Sequence, residues 1–335
     1  MSLVDLRDPS SFPTRRVEAW KYTDLRRFLR ETPPPSAPDD VAPGGPFAAL
    51  GGAETAIVNG RGDAAIRVVE GEQVARLRFV STQAGAGHQA TVTVDVARGA
   101  SLVILESHEG SGGYVSSIAL NIKVAEGGQL TRIVLADDAA DAIALSRADV
   151  RLGQGAAFSQ TLLTTGARLQ RLETHVAHPG EGATVWMDGL YLLSGDRHAD
   201  LTSVVTHDGR DGVTSQLAKG VVRDAARGVF QGKIVVERGA DGTDARMGHH
   251  ALILSERGEV DAKPELVIYA DEVSCAHGNT VGALDESALF YMQQRGIPAD
   301  EARALLTHAF LGQVIDRIEH EGARDVARDW LEARL

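Results

Sequence analysis

The feature that most constrains this chain is an internal repeat. Val96-x-x-Gly99-Ala100-x-Leu102 recurs as Val124-x-x-Gly127-Gly128-x-Leu130 and again as Leu152-x-x-Gly155-Ala156-x-Phe158, with a spacing of 28 residues both times. The preceding residues keep the same register: Val92, Leu120 and Ala148 form one column, and Val94, Ile122 and Val150 another. A weaker echo falls at Gly182, Ala183 and Val185. A fixed period of this size marks stacked structural units, each too small to bury its own apolar face. Within a unit, apolar residues alternate with polar ones, as at Ile118, Leu120, Ile122 and Val124, which is the period of a strand with one buried face. The recurrent glycine permits a positive φ at each corner. The repeat therefore predicts a mainly β chain built as a β-helix or solenoid from about Ala53 to Ala270. A β-sandwich would also show short strands and glycine turns, and a propeller needs longer blades, about 40–50 residues each.

The ends read differently. Thr14 can cap a helix over Arg15 to Arg30, with Val17, Trp20, Leu25, Phe28 and Leu29 on one stripe. Pro33, Pro34, Pro35, Pro38, Pro43 and Pro46 then mark an extended linker. After Asp271, Leu284 to Gln294 reads as a helix broken at Gly296-Ile297-Pro298. A longer helix follows from about Asp300, with Leu305, Leu306, Phe310, Val314 and Ile318 on its stripe, and a last one carries Val326, Trp330 and Leu331. The divisions expected are 1–46 for an N-terminal helix and linker, 47–275 for the β-helix core and 276–335 for a C-terminal helical domain.

Composition narrows the functional classes. The net charge is −12 and no Lys/Arg run exceeds two residues, which argues against nucleic acid, where phosphate neutralisation dominates binding, and against an anionic membrane surface. Cys275 is the one cysteine, so no intrachain disulfide forms and a reducing cytoplasm is the simplest compartment. The first residues lack a basic and apolar leader pattern, and no run approaches the ~18 apolar residues of a membrane helix.

Few residues carry chemistry. Cys275 and His277, one residue apart, would share a face of an extended segment. Thiolate and imidazole suit iron and iron–sulfur species, but two ligands do not close a site; the alternative is a small buried thiol beside a hydrogen-bonded histidine. His249 and His250 are adjacent and would face opposite ways on a strand, one packed and one at the surface. Gly278 and Thr280-Val281-Gly282 resemble no phosphate loop, since no Gly-x-x-x-x-Gly-Lys occurs. Glu173, Asp188 and His207-Asp208 could be read as acid–base groups, but among 46 acidic residues such coincidences are expected. None of these patterns marks an enzyme; a carbohydrate-active β-helix enzyme would need a carboxylate or Arg cluster along one groove.

Lys263-Pro264-Glu265-Leu266-Val267-Ile268-Tyr269-Ala270-Asp271-Glu272-Val273-Ser274-Cys275-Ala276-His277-Gly278, continuing through Thr280-Val281-Gly282, Leu289-Phe290-Tyr291 and Arg295-Gly296-Ile297-Pro298, resembles the signature of the SufB/SufD family of iron–sulfur cluster assembly scaffolds. Arg16 to Thr23 resembles the entry helix of the SufD branch, and Phe230-Gln231-Gly232-Lys233-Ile234-Val235-Val236 a family strand. The short chain and single cysteine also fit the SufD branch better than SufB. There are two departures: Met247-Gly248-His249-His250 stands where the family is often Asn-rich, and Ala276 replaces a serine. The resemblance implies a right-handed parallel β-helix between N- and C-terminal helical segments. It implies pairing with SufB, which would complete a transient cluster site with Cys275 and His277, and no cofactor bound tightly by the isolated chain. It implies that the C-terminal helices hold the SufC ATPase, with Phe290, Tyr291, Arg295, Leu305, Leu306 and Phe310 as candidate contacts. A homodimer of the isolated chain, formed at an exposed β-helix edge, is the other expectation.

Overall fold

The computed structural model describes residues 4–62 and 65–335. Seventeen strands follow one another among these residues: β1 Ala53–Val58, β2 Ala65–Val68, β3 Glu72–Ser81, β4 Gly87–Val96, β5 Ser101–Gly110, β6 Val115–Val124, β7 Gln129–Ala136, β8 Ile143–Leu152, β9 Ala157–Thr164, β10 Leu169–His178, β11 Thr184–Leu193, β12 His198–His207, β13 Val213–Val222, β14 Arg227–Val236, β15 Asp244–Ile253, β16 Glu259–Ile268 and β17 Ser274–Gly282. Odd-numbered strands stack in one parallel sheet and even-numbered strands in a second, so the chain alternates between sheets and climbs one rung per pair. This is the parallel β-solenoid that the repeat predicts.

The columns read from the sequence are its ladder. Val92 pairs with Leu120 and Leu120 with Ala148 on the even sheet. On the odd sheet Leu102 pairs with Leu130, Leu130 with Phe158 and Phe158 with Val185. All are buried between the sheets, each removal from water contributing about 1.5–3 kcal/mol for a full-sized side chain. The corner glycines Gly99, Gly127, Gly155 and Gly182 have φ of 66°, 63°, 59° and 66°. Each donates its N–H to the next rung, for example Gly127 to the Gln154 carbonyl at 2.9 Å. One rung later Asp211 takes the same left-handed corner at φ 54°, as a short polar side chain can.

The interior is not wholly apolar. Glu106, pointing inward from β5, accepts from Arg132 Nε and Nη2 at 2.7 and 2.6 Å and contacts His108 at 2.8 Å; Arg132 also donates to Gln160 at 2.7 Å. Every member is buried and partnered, which is the condition for such a network to be tolerated.

The N-terminal segment is helical only in short turns, not as the continuous helix expected over 15–30. A 3-10 turn at Glu18–Trp20 precedes one α-turn, α1 (Leu25–Phe28). The reason is Thr23. It is fully buried, with Oγ1 hydrogen-bonded to Asp200 and 3.2 Å from His198 Nε2 on β12, and this anchoring breaks the helix at Thr23–Asp24. Trp20, Leu25 and Leu29 are then buried on the outer face of the even sheet. The proline-rich stretch is extended as expected and lies on the solenoid, Pro35 bridging Gly87.

The last strand runs through position 275 to Gly282 before the chain turns helical. Helices α2 (Glu286–Gln294), α3 (Ala299–Ile315) and α4 (Glu321–Glu332) follow. Leu311, Val314, Ile315, Trp330 and Leu331 pack on Leu105, Ile133, Leu163 and Leu190, the outward face of the odd sheet. The solenoid is thus clasped on one flank by the N-terminal segment and on the other by the C-terminal helices. Among the described residues, no helix is long and apolar enough to cross a membrane.

Candidate functional site

Strand β17 pairs only with β15, and β16 only with β14, so both sheets end at the same rung. This end of the solenoid has no further turn over it among the described residues. Register fixes which side chains face the opening. Ala245, Met247, His249 and Ala251 are buried on the inward face of β15, and opposite them on β17 stand Cys275, His277, Asn279 and Val281. On β16 the matching row is Ala262, Pro264, Leu266 and Ile268. Pro264, which lacks a backbone donor, is accommodated because β16 is an edge.

Cys275 and His277 therefore share the inward face of the terminal rung, as their spacing predicts. Cys275 is half-buried and, like Val260, Leu266 and Val273, packs against the buried cluster that includes Ala245 and Met247, while His277 is exposed. Burial pushes the Cys275 thiol up, and the nearby Asp244 adds to it, against a lowering hydrogen bond from the Ala245 backbone. The group rests as a thiol and becomes a ligand only when a bound cation displaces its proton. Among the described residues, no group of three or more His, Cys, Asp or Glu side chains could hold a metal ion. Met247, paired with His277, lies one rung deeper and is buried.

The six helical candidates separate into two sets. Phe290, Tyr291 and Leu305 are 63%, 59% and 46% exposed, and Arg295 stacks on the Tyr291 ring at 4.7 Å. Leu306 is half-buried. Phe310 turns inward, its ring 4.1 Å from Lys219 Nζ of β13, and helps to seat α3. The acid–base coincidences resolve into structural pairs. Glu173 is bound by Arg171 and His175, and Asp188 by Arg317. His207 is buried edge-on against His178, ring centroids 4.1 Å apart.

The sequence reading passed over Asn279 and placed His249 as one half of an inert pair. His249 is indeed the packed member, stacked on Phe230 at 4.8 Å, but it joins Tyr191, at 2.9 Å, to Asn279, at 2.7 Å. The signal that would have found this is the rung spacing, which sets Gly248 beside Gly278 and hence His249 beside Asn279.

These features define a class: a parallel β-solenoid that presents a Cys–His pair on an unpaired terminal rung. Residues 79–310 match the family described as SUF system FeS cluster assembly, SufBD core domain. The chain is 31% identical over 269 residues to the iron–sulfur cluster assembly protein SufD of Escherichia coli, covering 77% of this chain and 63% of that one. It is 31% identical over 205 residues to a SufBD family protein of Synechocystis, covering 61% and 45%. It is 29% identical over 348 residues to one of Mycobacterium leprae, covering 93% and 87%. The chain thus spans less than two thirds of the length of the first two relatives and most of the third. It belongs to the SufBD family of iron–sulfur cluster assembly proteins and is a homologue of SufD.

Proposed function

We propose that this chain is a non-enzymatic scaffold subunit that takes the SufD position in an iron–sulfur cluster assembly complex. It pairs with a SufB-type paralogue through the open end of the solenoid. The observation that carries this is the terminal rung itself. Two unpaired sheet edges, an exposed apolar rim of Ile268, Tyr269 and Val281, and two soft side chains on one face form half of an interface and half of a ligand set. Unpaired edges are templates for another chain, and a paralogue with its own ligands would close the coordination of a cluster built there. The cluster is cargo, assembled and passed on.

The C-terminal helices, with Phe290, Tyr291 and Leu305 exposed, are the surface offered to a SufC ATPase. Movement of the helices by that partner would be transmitted through a close-packed β stack, which passes strain on instead of absorbing it, and would open the rung to iron and sulfur. The test is co-purification with tagged SufB and SufC, followed by anaerobic iron and sulfide analysis of wild type and His277→Ala. Co-purification with loss of iron in the variant is expected. Co-purification with unchanged iron would make Cys275 and His277 structural, and failure to co-purify would remove the scaffold reading.

A further inference from the structure

The hydrogen-bond chain behind the terminal rung has a direction, and the direction follows from counting its protons. Tyr191 is fully buried, and its hydroxyl has one partner among the described residues, His249 Nε2 at 2.9 Å. A buried hydroxyl proton is not left without an acceptor, so Tyr191 donates and Nε2 accepts. His249 is held neutral, since burial lowers it to about 4, and a neutral imidazole carries one N–H. With Nε2 accepting, that proton sits on Nδ1 and is donated to Asn279 Oδ1 at 2.7 Å. The Asn279 carbonyl is thereby fixed toward the interior. Its NH2 group has no partner among the described residues, and Asn279 is exposed on the same face of β17 as His277, two positions away. The rest of the molecule reinforces the arrangement. A Cβ at Gly220 or Gly228 would strike the Tyr191 ring at 1.8 and 2.4 Å, so two glycines make the slot that holds the tyrosine, and Phe230 stacks on the imidazole with an interplanar angle of 2°.

We propose that Asn279, clamped by His249 and Tyr191, is a third group of the terminal-rung site, donating hydrogen bonds from its amide to anionic sulfur held beside Cys275 and His277. This rests on the reading of that rung as half of a cluster site. An amide N–H that donates to cluster or thiolate sulfur stabilises negative charge there and raises the reduction potential. Asn279 is a positioning and tuning group and supplies no ligand.

Two measurements test it. In the isolated chain, long-range 15N–1H correlation of labelled histidines should show His249 protonated at Nδ1; a proton on Nε2 overturns the chain's direction and the proposal with it. In the complex with its SufB-type partner, loaded with iron and sulfide, Asn279→Leu and Asn279→Asp should both move the cluster's midpoint potential to more negative values, Asp further because it adds charge. Each potential is read on the cluster that the variant retains, whereas His277→Ala lowers cluster content itself. Asn279 is exposed on an edge strand; Asp keeps an acceptor for the buried His249 Nδ1–H and Leu removes it, so thermal unfolding checks that both variants keep the fold. The double variant His249→Leu/Tyr191→Phe, which removes the clamp without stranding either partner, should shift the potential in the same direction. A His277-dependent cluster whose potential ignores all three changes overturns this inference alone. A complex whose cluster ignores His277→Ala overturns the site reading and this inference together.

Discussion

Arg317, just past the end of α3, donates from Nε to Asp188 on β11 at 2.7 Å, and its Nη2 reaches Ser215 Oγ at 3.1 Å. Asp188 is buried and also accepts from the Leu217 backbone at 3.1 Å. Burial pushes its carboxyl up more strongly than Arg317 draws it down. The ion pair is therefore a clasp between helical domain and solenoid whose removal leaves a charge in a poor environment. Arg317→Met should cost about 3 kcal/mol, the magnitude of stranding one member of a buried pair. It should also speed proteolysis within α3. Adding Asp188→Asn to that background should recover part of the loss, because the stranded charge is gone. Thermal unfolding of the two variants decides it, and equal stability of single and double variant would refute the clasp.

Acid should unfold this protein well before its carboxylates titrate. Burial lowers His88, His178, His198 and His249 to about 4 and His207 to about 3. An unfolded histidine takes its proton near pH 6.5. Between pH 6.5 and about 4 the unfolded chain thus binds protons that the folded chain refuses, and stability falls with pH at about 1.4 kcal/mol per unit for each such group. Glu106 and Glu173 add a second loss lower down. Burial raises them, but the combined pull of Arg132 and His108 on one, and of His175 and Arg171 on the other, holds both at about 2. Their contribution is present above about 4.5 and disappears as pH falls toward 2. Urea titrations at pH 7.5, 6 and 5 should show a steep decline in the midpoint. His178→Leu, which removes two ring nitrogens without partners, should flatten it. A midpoint that is constant from 7.5 to 5 would contradict the assignment of these histidines as buried and neutral.

Gly220 should be intolerant of even one methyl. Its Cβ would fall 1.8 Å from the Tyr191 ring, too close for any rotamer of a fully buried side chain to relieve cheaply. Gly220→Ala should destabilise by about 3 kcal/mol or more, at the upper end of overpacking costs. Tyr191→Phe should leave that penalty in place, since it removes the hydroxyl and not the ring, whereas Tyr191→Leu should relieve much of it. Unfolding midpoints of the three combinations separate steric from polar causes.

What could be read from the sequence was whatever repeats. Successive odd strands step by 28 residues from Ser101 to Gln129 to Ala157, and there the glycine corners and apolar columns align by eye. From Ala157 to Thr184, Val213 and Asp244 the steps become 27, 29 and 31, and one corner passes from glycine to Asp211. The register was therefore lost to inspection just before the rung that matters. That Cys275 and His277 share a face is legible because they are neighbours in sequence; the hydrogen-bonded set of Asn279, His249 and Tyr191 is not, because each is brought to the others only by stacking. The N-terminal helix was misjudged for a related reason. Val17, Trp20 and Leu25 do face protein, but Thr23 among them is buried through hydrogen bonds to a strand some 175 residues away, a tertiary contact that no local periodicity announces.

The open rung also predicts how the isolated chain behaves. Val281 is on the inward face of the edge strand β17 and 45% exposed, with Ile268 41% exposed at the facing edge. The inward side chains of the rung below, Ala245, Met247, His249 and Ala251, are buried, whereas these two remain substantially exposed above them. A charge at this position would face any chain that extends the sheets, while costing the monomer little, within about 0.5 kcal/mol for an exposed site. Val281→Asp should therefore abolish both self-association of the isolated chain and capture by a SufB-type partner, with an unchanged unfolding midpoint. Light scattering and pull-down on the same preparation read the two arms. Loss of partner binding alone would mean that any homodimer uses another surface. Retention of both would place the pairing surface away from the terminal rung, and with it the site built on Cys275 and His277.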